Sequence, residues 1–420
     1  MPSSQTIVGI DIGTSKVVVT VAETTSSGVP RVVGAGMSRT RGMRAGAIVS
    51  FDDVAQAVAA AVSQAETTSG REITSAWVTF SGSHVASENA SGGTTLTSHP
   101  HDIHEILDPD IQKALAAARP SPAEVGREVV HVVPRAFTVD GVPGILDPIG
   151  MTGHRLDAQT HVITASTSQI NNLIRAIPTT IGLRELVAQG LASGESVATV
   201  DERALGCVVI DIGAGTTDIS VFIDGAIWHT AVLPFGGQNC TNDIAYVLRT
   251  PVAEAESLKV EHAHAIPTDA SDELAIGVTL HNRAQDTVSA RYISEIVAAR
   301  IADIFEKVRE ELGRSGLSGA LSVGAVLTGG TANLPAIEAL AATILEMPVR
   351  VGTPGGANNL GESFRSPAFA AAVGVIAYGC RVDLATAGAV PRQSAVGNFF
   401  DVVRRALFGS GPADTRSVTR

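Results

Sequence analysis

The sequence is poor in aromatic residues and in positive charge, and these shortages exclude a class of partner. Aromatic residues make up 4% of the chain, and 30 Lys+Arg against 42 Asp+Glu give a formal net charge of -12. Proteins that bind nucleic acid non-specifically need a basic surface, and those that bind single strands commonly stack bases on aromatic rings. We therefore expect no nucleic-acid partner.

Cysteines and long apolar runs are also scarce. Cys207, Cys240 and Cys380 lie far apart without metal-binding spacing, which predicts reduced thiols in a cytosolic compartment. The longest apolar run, Ala368–Cys380, is interrupted by glycine and falls short of the ~18 residues that cross a bilayer. Met1–Thr6 shows no signal-peptide pattern, so we expect neither secretion nor a membrane span.

The most informative stretch is Val208–Asp218, in which an apolar run ends in Asp211 and two glycines, two threonines and Asp218 follow. This order predicts a strand, a tight turn and a second strand. Gly213 and Gly215 would let the backbone approach an anion and donate their N–H groups to it. Carboxylates repel phosphate, so the two acids indicate that a hydrated divalent cation lies between them and the phosphate.

The same order occurs near the N-terminus, where Asp11 ends an apolar strand and Gly13, Thr14 and Ser15 form the turn. Here Lys16 is interpreted as standing in place of the closing acid. One such hairpin alone could be an ordinary β-turn. Two copies predict two similar half-molecules that hold one nucleotide from both sides.

A third glycine turn follows the apolar strand at 325–328. Gly329 and Gly330, with Thr331 and Asn333 in the same turn, could form a backbone platform for the base or sugar of a nucleotide. An ordinary turn between a strand and a helix is the alternative interpretation.

Length and pattern predict several α/β domains. A chain of 420 residues is expected to fold as two to four domains. Helical spacing of apolar residues predicts helices at 51–66 and 289–312. Between about 82 and 161 the sequence becomes rich in turns, which indicates a small α/β subdomain inserted into the first half.

The order of these motifs resembles the actin, heat-shock-chaperone and sugar-kinase ATPase superfamily, and within it the FtsA family of bacterial cell-division proteins. The resemblance covers nearly the full length and is carried by Gly9–Lys16, Asp211–Asp218, Gly236–Ala245, Leu327–Pro335 and Pro367–Gly374. It implies an α/β, actin-like two-lobed ATPase fold with duplicated sheet-and-helix cores. The implied segments are 1–81 (lobe 1 core), 82–164 (inserted subdomain), 165–190 (return to lobe 1), 191–241 (lobe 2 core), 242–318 (lobe 2 outer subdomain), 319–358 (lobe 2 core), 359–385 (return to lobe 1), 386–397 (flexible linker), 398–409 (amphipathic helix) and 410–420 (disordered tail).

The resemblance also implies ATP and Mg²⁺ as cofactors, with Asp11 and Asp211 holding the hydrated metal ion. Glu256 and Lys259 would contact ribose and base, although their spacing also fits a surface ion pair. Glu195 would orient a catalytic water, or else is a solvated helix acid. The full set of implied nucleotide-binding residues is Asp11, Gly13, Thr14, Ser15, Lys16, Asp211, Gly213, Ala214, Gly215, Thr216, Thr217, Asp218, Gly236, Gly237, Glu256, Lys259, Gly329, Gly330, Thr331 and Asn333.

The chain departs from the family pattern at three places. Ala214 replaces a glycine, which a methyl group permits only if φ stays negative. Gln189–Gly190 stands where the family commonly has Glu-Pro, and Ser196 follows Glu195 where alanine is usual. These departures put rapid hydrolysis in doubt more than binding, because turnover needs an oriented water. We therefore expect ATP binding with slow hydrolysis at most.

The C-terminal residues predict a membrane anchor. Small residues from Arg381 to Gly397 indicate a linker, and residues 398–408 place apolar and basic side chains on opposite sides of a short helix. Docking of this helix on the protein's own core is the alternative. Many weak anchors on one polymer would bind a membrane firmly. The predicted membrane-binding residues are Phe399, Phe400, Val403, Arg404, Arg405, Leu407 and Phe408.

The resemblance implies partners and a location. It implies self-association into filaments, contact with anionic lipids, and binding of the FtsZ C-terminal peptide through the outer subdomain of lobe 2, where Arg291 and Arg300 match basic positions. Other division proteins would bind the inserted subdomain. The protein would lie on the cytoplasmic side of the cell membrane at the division site. A pilus-assembly scaffold, which does not need residues 398–408, and a small-molecule kinase remain alternatives.

Overall fold

The computed structural model describes residues 5–25, 28–97, 99, 102–119, 125–272, 275–281 and 284–386. The predicted anchor and most of the linker lie outside these residues.

The strands are β1 (Thr6–Ile12), β2 (Lys16–Glu23), β3 (Arg31–Arg39), β4 (Met43–Arg44), β5 (Ala47–Ile48), β6 (Ser75–Phe80), β7 (Ala86–Thr95), β8 (His104–Glu105), β9 (Arg127–Val139), β10 (Val142–Ile145), β11 (Thr152–Gly153), β12 (Arg155–Ser166), β13 (Gly182–Ala188), β14 (Cys207–Ile212), β15 (Thr217–Ile223), β16 (Ala226–Leu233), β17 (Ala275–Thr279), β18 (Gln285–Ser289), β19 (Gly324–Thr328) and β20 (Val349–Val351).

The helices join and cover these strands. They are α1 (Phe51–Ser69), α2 (Asp108–Ala117), α3 (Thr167–Arg175), α4 (Gln189–Val197), α5 (Val200–Leu205), α6 (Gly237–Leu248), α7 (Val252–His262), α8 (Ala290–Ser315), α9 (Ile337–Leu345) and α10 (Ala370–Thr386). Short 3-10 turns include Gly330–Asn333 and Pro367–Phe369.

The described chain divides into two compact units. The larger contains residues 5–86, 165–225 and 229–380, and the smaller contains 87–164, 226–228 and 381–386. In the smaller unit a four-stranded sheet has the order β10-β9-β12-β7. Its own core includes Ile106, Leu115, Phe137 and Leu156.

The larger unit contains two five-stranded sheets of the same topology. Their strand orders are β13-β6-β1-β2-β3 and β20-β19-β14-β15-β16. In each, the central strand pairs antiparallel with the next strand in the chain and parallel with a later one, β6 for β1 and β19 for β14. This duplication confirms the predicted α/β class with twin cores.

The sequence explains the central position of β1 and β14. Both are near-continuous runs of Ile and Val, as expected for strands buried on both faces, and every residue of β14 is buried. Amphipathic helices flank the sheets. In α8 the apolar side chains Ile293, Val297 and Ile301 are buried, as their helical spacing predicted.

The register of the two hairpins corrects the sequence-based alignment of Lys16 with Asp218. Asp211 lies opposite Asp218 across the β14–β15 ladder, whereas Asp11 lies opposite Val18 across β1–β2. The counterpart of Asp218 is therefore Val18. The lysine is instead the first residue of β2, where the turn closes.

Helix α10 rules out Arg381 as the start of the linker and ends within one residue of the start at 386 that the family resemblance implies. It continues through Thr386, and both Val382 and Asp383 are buried, so residues 381–386 are helical. No glycine or proline interrupts Arg381–Thr386, and alanine and leucine favour helix. Among the described residues, Pro367–Leu384 is the one stretch long and apolar enough to cross a membrane, but 72% of it is buried in the protein. A core helix has the same properties.

Candidate functional site

The two turns that follow β1 and β14 are closed by the same backbone hydrogen bond. Gly13 N–H donates to the carbonyl of Lys16 at 3.0 Å, and Gly213 N–H donates to that of Thr216 at 2.8 Å. These two amides are therefore not free for an anion, contrary to the prediction for Gly213. By this pattern Lys16 is the counterpart of Thr216.

The next two amides of each turn remain available. Among the described residues, the N–H groups of Thr14, Ser15, Ala214 and Gly215 have no acceptor. Successive unpaired backbone N–H groups form a cavity for an anion such as phosphate. Ala214 is not among the residues with positive φ, so its methyl group causes no backbone strain.

The turns touch each other through a glycine. A Cβ added to Gly215 would lie 2.5 Å from Thr14 Oγ1, so a larger residue would push the turns apart. The second turn is also tied to α6 and to the Gly329–Asn333 turn. The carbonyl of Gly213 accepts from Gly237 N–H at 2.9 Å and from Thr331 Oγ1 at 3.1 Å.

Asp11 and Asp211 lie at the ends of the two central strands, and each is held by donors from neighbouring elements. Asp11 Oδ1 accepts from Thr79 Oγ1 at 2.6 Å. Asp211 Oδ2 accepts from the Ser193 hydroxyl and, at 3.2 Å, from Gln189 Nε2. Asp211 Oδ1 is buried and has no hydrogen-bond partner among the residues that the structure describes.

Gly329 leaves space beside this orphaned oxygen that a side chain would fill. Its φ is +85°, which favours glycine, and an added Cβ would lie 2.3 Å from Asp211 Oδ1. A buried acceptor without a partner costs about 1–3 kcal/mol. The oxygen is thus suited to a ligand, such as a metal-bound water, that the protein itself does not supply.

The site carries more acidic than basic groups. Burial raises the pKa of Asp11 above its ordinary value despite the hydrogen bond from Thr79. Burial, with the charge of Asp11 adding to it, raises the pKa of Asp211 to about 6. Burial also raises the pKa of Asp218 well above its usual range, with a further contribution from Asp211. Burial lowers the pKa of the Lys16 ammonium, while the two nearby acids oppose that shift.

A divalent cation would fit this surplus of negative charge. The donor set suits Mg²⁺, which keeps several waters and is usually held by one or two carboxylates together with phosphate. Within the described residues no group of three or more His, Cys, Asp or Glu side chains could hold a metal on its own. Asp11 and Asp211 could therefore hold a hydrated ion that a phosphate shares.

The carboxylates and both turns line one cavity of about 720 Å³. It is the size of a site for a small ligand. Most of the nucleotide-binding residues that the sequence predicted lie on its wall. They are Asp11, Gly13, Thr14, Ser15, Lys16, Asp211, Gly213, Ala214, Thr216, Gly237, Glu256, Lys259, Gly329, Gly330, Thr331 and Asn333.

Five predicted residues do not line the cavity. Gly215 and Gly236 support it through backbone packing. Thr217 Oγ1 donates to the carbonyl of Phe235 at 2.9 Å. Both carboxylate oxygens of Asp218 lie 2.8 Å from Ser81 Oγ, which donates to them. Glu195 Oε2 accepts from Arg203 Nη1 at 3.1 Å, so the geometry gives no support to its role in orienting a water.

The structure adds residues that the sequence did not single out for the site. Gln189 lines the cavity, and Gln189 and Ser193 both donate to Asp211 from α4. Their i, i+4 spacing puts them on one face of that helix, and this spacing was the available signal. Thr79 and Ser81 come from β6 and its end, and only the strand pairing brings them to the site.

Glu256 and Lys259 form the i, i+3 ion pair that their spacing allows, with Glu256 exposed, and further hydrogen bonds extend this pair into a network. The Lys259 ammonium donates to Glu256 at 2.7 Å, to Thr241 Oγ1 at 2.8 Å and to the carbonyl of Gly237 at 3.1 Å. Thr241 also donates to Glu256. The network fixes one wall of the cavity, because α7 is held against the start of α6.

The two arginines predicted to bind a partner already have carboxylate neighbours. Arg300 forms a two-pronged contact with Asp243, at 2.6 and 3.1 Å. Arg291 donates to Asp272 at 2.9 Å. A peptide carboxylate would have to share or replace these acids.

Twin sheets with turns facing one cavity are the plan of the actin-like proteins, and solved structures support that class. The PilM-PilN type IV pilus biogenesis complex matches with a TM-score of 0.61 at 14% identity, covering 89% of this chain and 98% of that one. MreB 5 of Spiroplasma citri bound to AMPPNP matches with a TM-score of 0.56 at 12% identity, covering 93% and 100%. At these identities the likeness shows the fold.

Sequence comparisons narrow the class to one family. The family model described as Cell division protein FtsA matches residues 208–374, and the SHS2 domain inserted in FTSA matches 82–164. A Cell division protein FtsA from Pseudomonas aeruginosa is 36% identical over 379 residues, 90% of each chain. The Escherichia coli K12 protein of that name is 32% identical over 383 residues, covering 89% of this chain and 90% of that one. The chain belongs to the FtsA family of cell division proteins.

Proposed function

We propose that the protein binds ATP with Mg²⁺ in this cavity, assembles into filaments, and tethers FtsZ to the inner face of the cytoplasmic membrane through residues 398–408. The observation that carries the nucleotide part is the pair of turns. Each offers two unpaired N–H groups beside a buried carboxylate that ends a central strand. Phosphates need such donors, and a cation between acid and phosphate removes their repulsion.

Different parts of the cavity would bind different parts of the nucleotide. The two turns and Lys16 would hold the phosphates, and Asp11 with Asp211 would hold the hydrated Mg²⁺, which when bound neutralises phosphate charge. The Glu256–Lys259 network and the backbone of Gly329–Gly330 would face ribose and base. ATP rather than another nucleotide is proposed from the family.

Hydrolysis is proposed to be slow. Glu195 is paired with Arg203, and the side chain beside Asp211 on the cavity wall is the amide of Gln189. A carboxamide can orient a water but is a poor base. Nucleotide state would then control assembly more than it would drive rapid turnover.

The tether is proposed from the sequence and the family. Aromatic side chains on one side of a short segment and arginines on the other suit a helix in the membrane interface. Family membership supports binding of the FtsZ peptide by the region around Arg291 and Arg300, self-association, contacts of other division proteins with the inserted subdomain, and a peripheral location at the division site.

One experiment tests both parts. The full chain, a chain lacking residues 398–420 and the Asp211→Ala variant are sedimented with anionic liposomes, with and without Mg²⁺-ATP, and ATP affinity is measured in parallel. We expect the truncated chain to stay in solution with normal ATP affinity, and Asp211→Ala to lose ATP affinity. Glu195→Ala, an acid away from the cavity, is the matched control and should bind ATP normally.

Two outcomes would contradict the proposal. If the truncated chain pellets as well as the full chain, the tether is wrong, and a scaffold of the pilus-assembly type without an anchor becomes the better reading. If Asp211→Ala binds Mg²⁺-ATP with unchanged affinity, the assignment of the cavity is wrong.

A further inference from the structure

Two lysines line the cavity, and their ammonium groups have different surroundings. The chain has four lysines, Lys16, Lys113, Lys259 and Lys307. The ammonium of Lys259 is saturated by three oxygen acceptors. That of Lys16 has no hydrogen bond or ion pair within the described part of the chain, and its Nζ lies 3.7 Å from the centroid of the Phe369 ring.

An aromatic ring holds a cation in a way that a carboxylate does not. The ring face attracts the ammonium through its quadrupole, and more strongly when the pair is shielded from water. The ring adds no counter-charge of its own to the ammonium. An acid at this place would neutralise the lysine before a phosphate could use it.

The ring itself is fixed to the cavity. Phe369 ends the Pro367–Phe369 turn, and the carbonyl of Pro367 accepts from Gly329 N–H at 3.2 Å and from Thr328 Oγ1 at 3.3 Å. The ring also packs against Phe364, with ring centroids 4.8 Å apart and planes tilted by 46°. The cation is thus attached to a rigid support that also carries the glycine turn.

We propose that Phe369 is a positioning residue of the nucleotide site, whose ring holds the charged Lys16 ammonium on the cavity wall ready for the phosphates. This inference rests on the proposed nucleotide function. A lysine side chain that is free in solution loses rotamer freedom when a ligand immobilises it. A ring that has already restricted the side chain lowers that cost.

The sharpest test changes the ring's electrons and keeps its shape. Phe369 is replaced by phenylalanine analogues with one, two and three ring fluorines, which withdraw charge from the face in steps. We expect Mg²⁺-ATP affinity to fall at each step, reaching a loss of about fivefold to thirtyfold, because the attraction weakens with the quadrupole. The same series at Phe364, which touches the ring but not the lysine, is the control and should leave the affinity nearly unchanged.

A second measurement needs no nucleotide. In protein labelled with ¹³C-lysine, only four side chains contribute signals, and the Lys16 signal is assigned through Lys16→Arg. We expect its ε-CH₂ resonance to be shifted upfield by the ring current of Phe369, and to lose that shift in Phe369→Leu but not in Phe364→Leu.

The outcomes separate the two proposals. If the protein binds ATP and its affinity does not change across the fluorinated Phe369 variants, the positioning role is wrong. An unshifted Lys16 resonance in the unsubstituted protein also contradicts that role. If the unsubstituted protein shows the ring-current shift and yet binds no ATP, the proposed nucleotide function fails instead.

Discussion

The two turns of the cavity have the same backbone and different side chains. Each is closed by a glycine N–H bonded to a carbonyl three residues on, and in the described part of the chain the next two amides of each turn have no acceptor. At the closing position the first turn has Lys16 and the second has Thr216. Across the ladder from the strand-end acid, the first hairpin has Val18 and the second has Asp218.

This difference shows how a duplicated fold divides its work. The backbone, which supplies the anion-binding amides, is kept in both copies. The charged side chains are not: the first hairpin supplies the cation, and the second supplies an extra buried acid bonded to Ser81 of the first half. The two copies therefore offer a phosphate the same backbone amides but differ in the charge of their side chains.

The largest expected effect comes from separating the two turns. Gly215→Ala adds a methyl group that would lie 2.5 Å from Thr14 Oγ1. Since overpacking costs about 1–3 kcal/mol and about 1.4 kcal/mol corresponds to a tenfold change in affinity, we expect Mg²⁺-ATP affinity to fall by about 10- to 100-fold, measured by calorimetric titration.

A second substitution shows whether this loss is steric. In Gly215→Ala combined with Thr14→Gly, the room for the methyl group returns, and we expect most of the affinity to return with it. If the double variant is as weak as Gly215→Ala alone, the turns do not depend on this contact.

The next prediction concerns Asp218, the acid of the second hairpin that has no counterpart in the first. The folded-state pKa of Asp218 is raised by burial, so its contribution to stability is fully present below its unfolded pKa and is lost as the pH rises through the raised value. Asp218→Asn removes this loss. We measure melting temperatures without divalent cations. The melting temperature of Asp218→Asn minus that of the unsubstituted protein should rise by a few degrees between pH 5 and pH 8. A difference that does not change with pH would mean that Asp218 is ionised in the folded protein at little cost.

Much of this site was predictable from local sequence, because each turn is encoded within about ten residues. The acid, the glycine and the small polar residues specify strand, turn and strand wherever they occur. What the local pattern could not give was register, and so Lys16 was aligned with Asp218. Only the ladder shows that Val18 faces Asp11.

The hydrogen-bond and ring partners of the charged groups could not be predicted from local sequence either, because they come from elements distant in the chain. Thr79 reaches Asp11 because β6 lies beside β1, and Phe369 reaches Lys16 from the far end of the chain. Glu195 was placed by analogy, and the helix that carries it directs Gln189 and Ser193 to the site instead. The strand β7 was missed because the stretch is polar and rich in glycine and serine, without the alternation that indicates a strand.

The smallest expected effects come from removing the side-chain hydrogen bonds that hold the two strand-end acids, Asp11 and Asp211. Within the described residues, Asp11 accepts a hydrogen bond from one side chain, Thr79 at 2.6 Å, whereas Asp211 accepts from Ser193 as well as from Gln189 at 3.2 Å. A typical hydrogen bond contributes about 1 kcal/mol, so Thr79→Val should weaken Mg²⁺-ATP binding about fivefold. Gln189→Ala should weaken it by only about twofold, because its bond is longer and Ser193 remains. Titration of ATP at several Mg²⁺ concentrations measures both. If Gln189→Ala instead leaves binding intact and sharply lowers the hydrolysis rate, Gln189 acts on the water and not on Asp211, and the second hairpin is then the catalytic one.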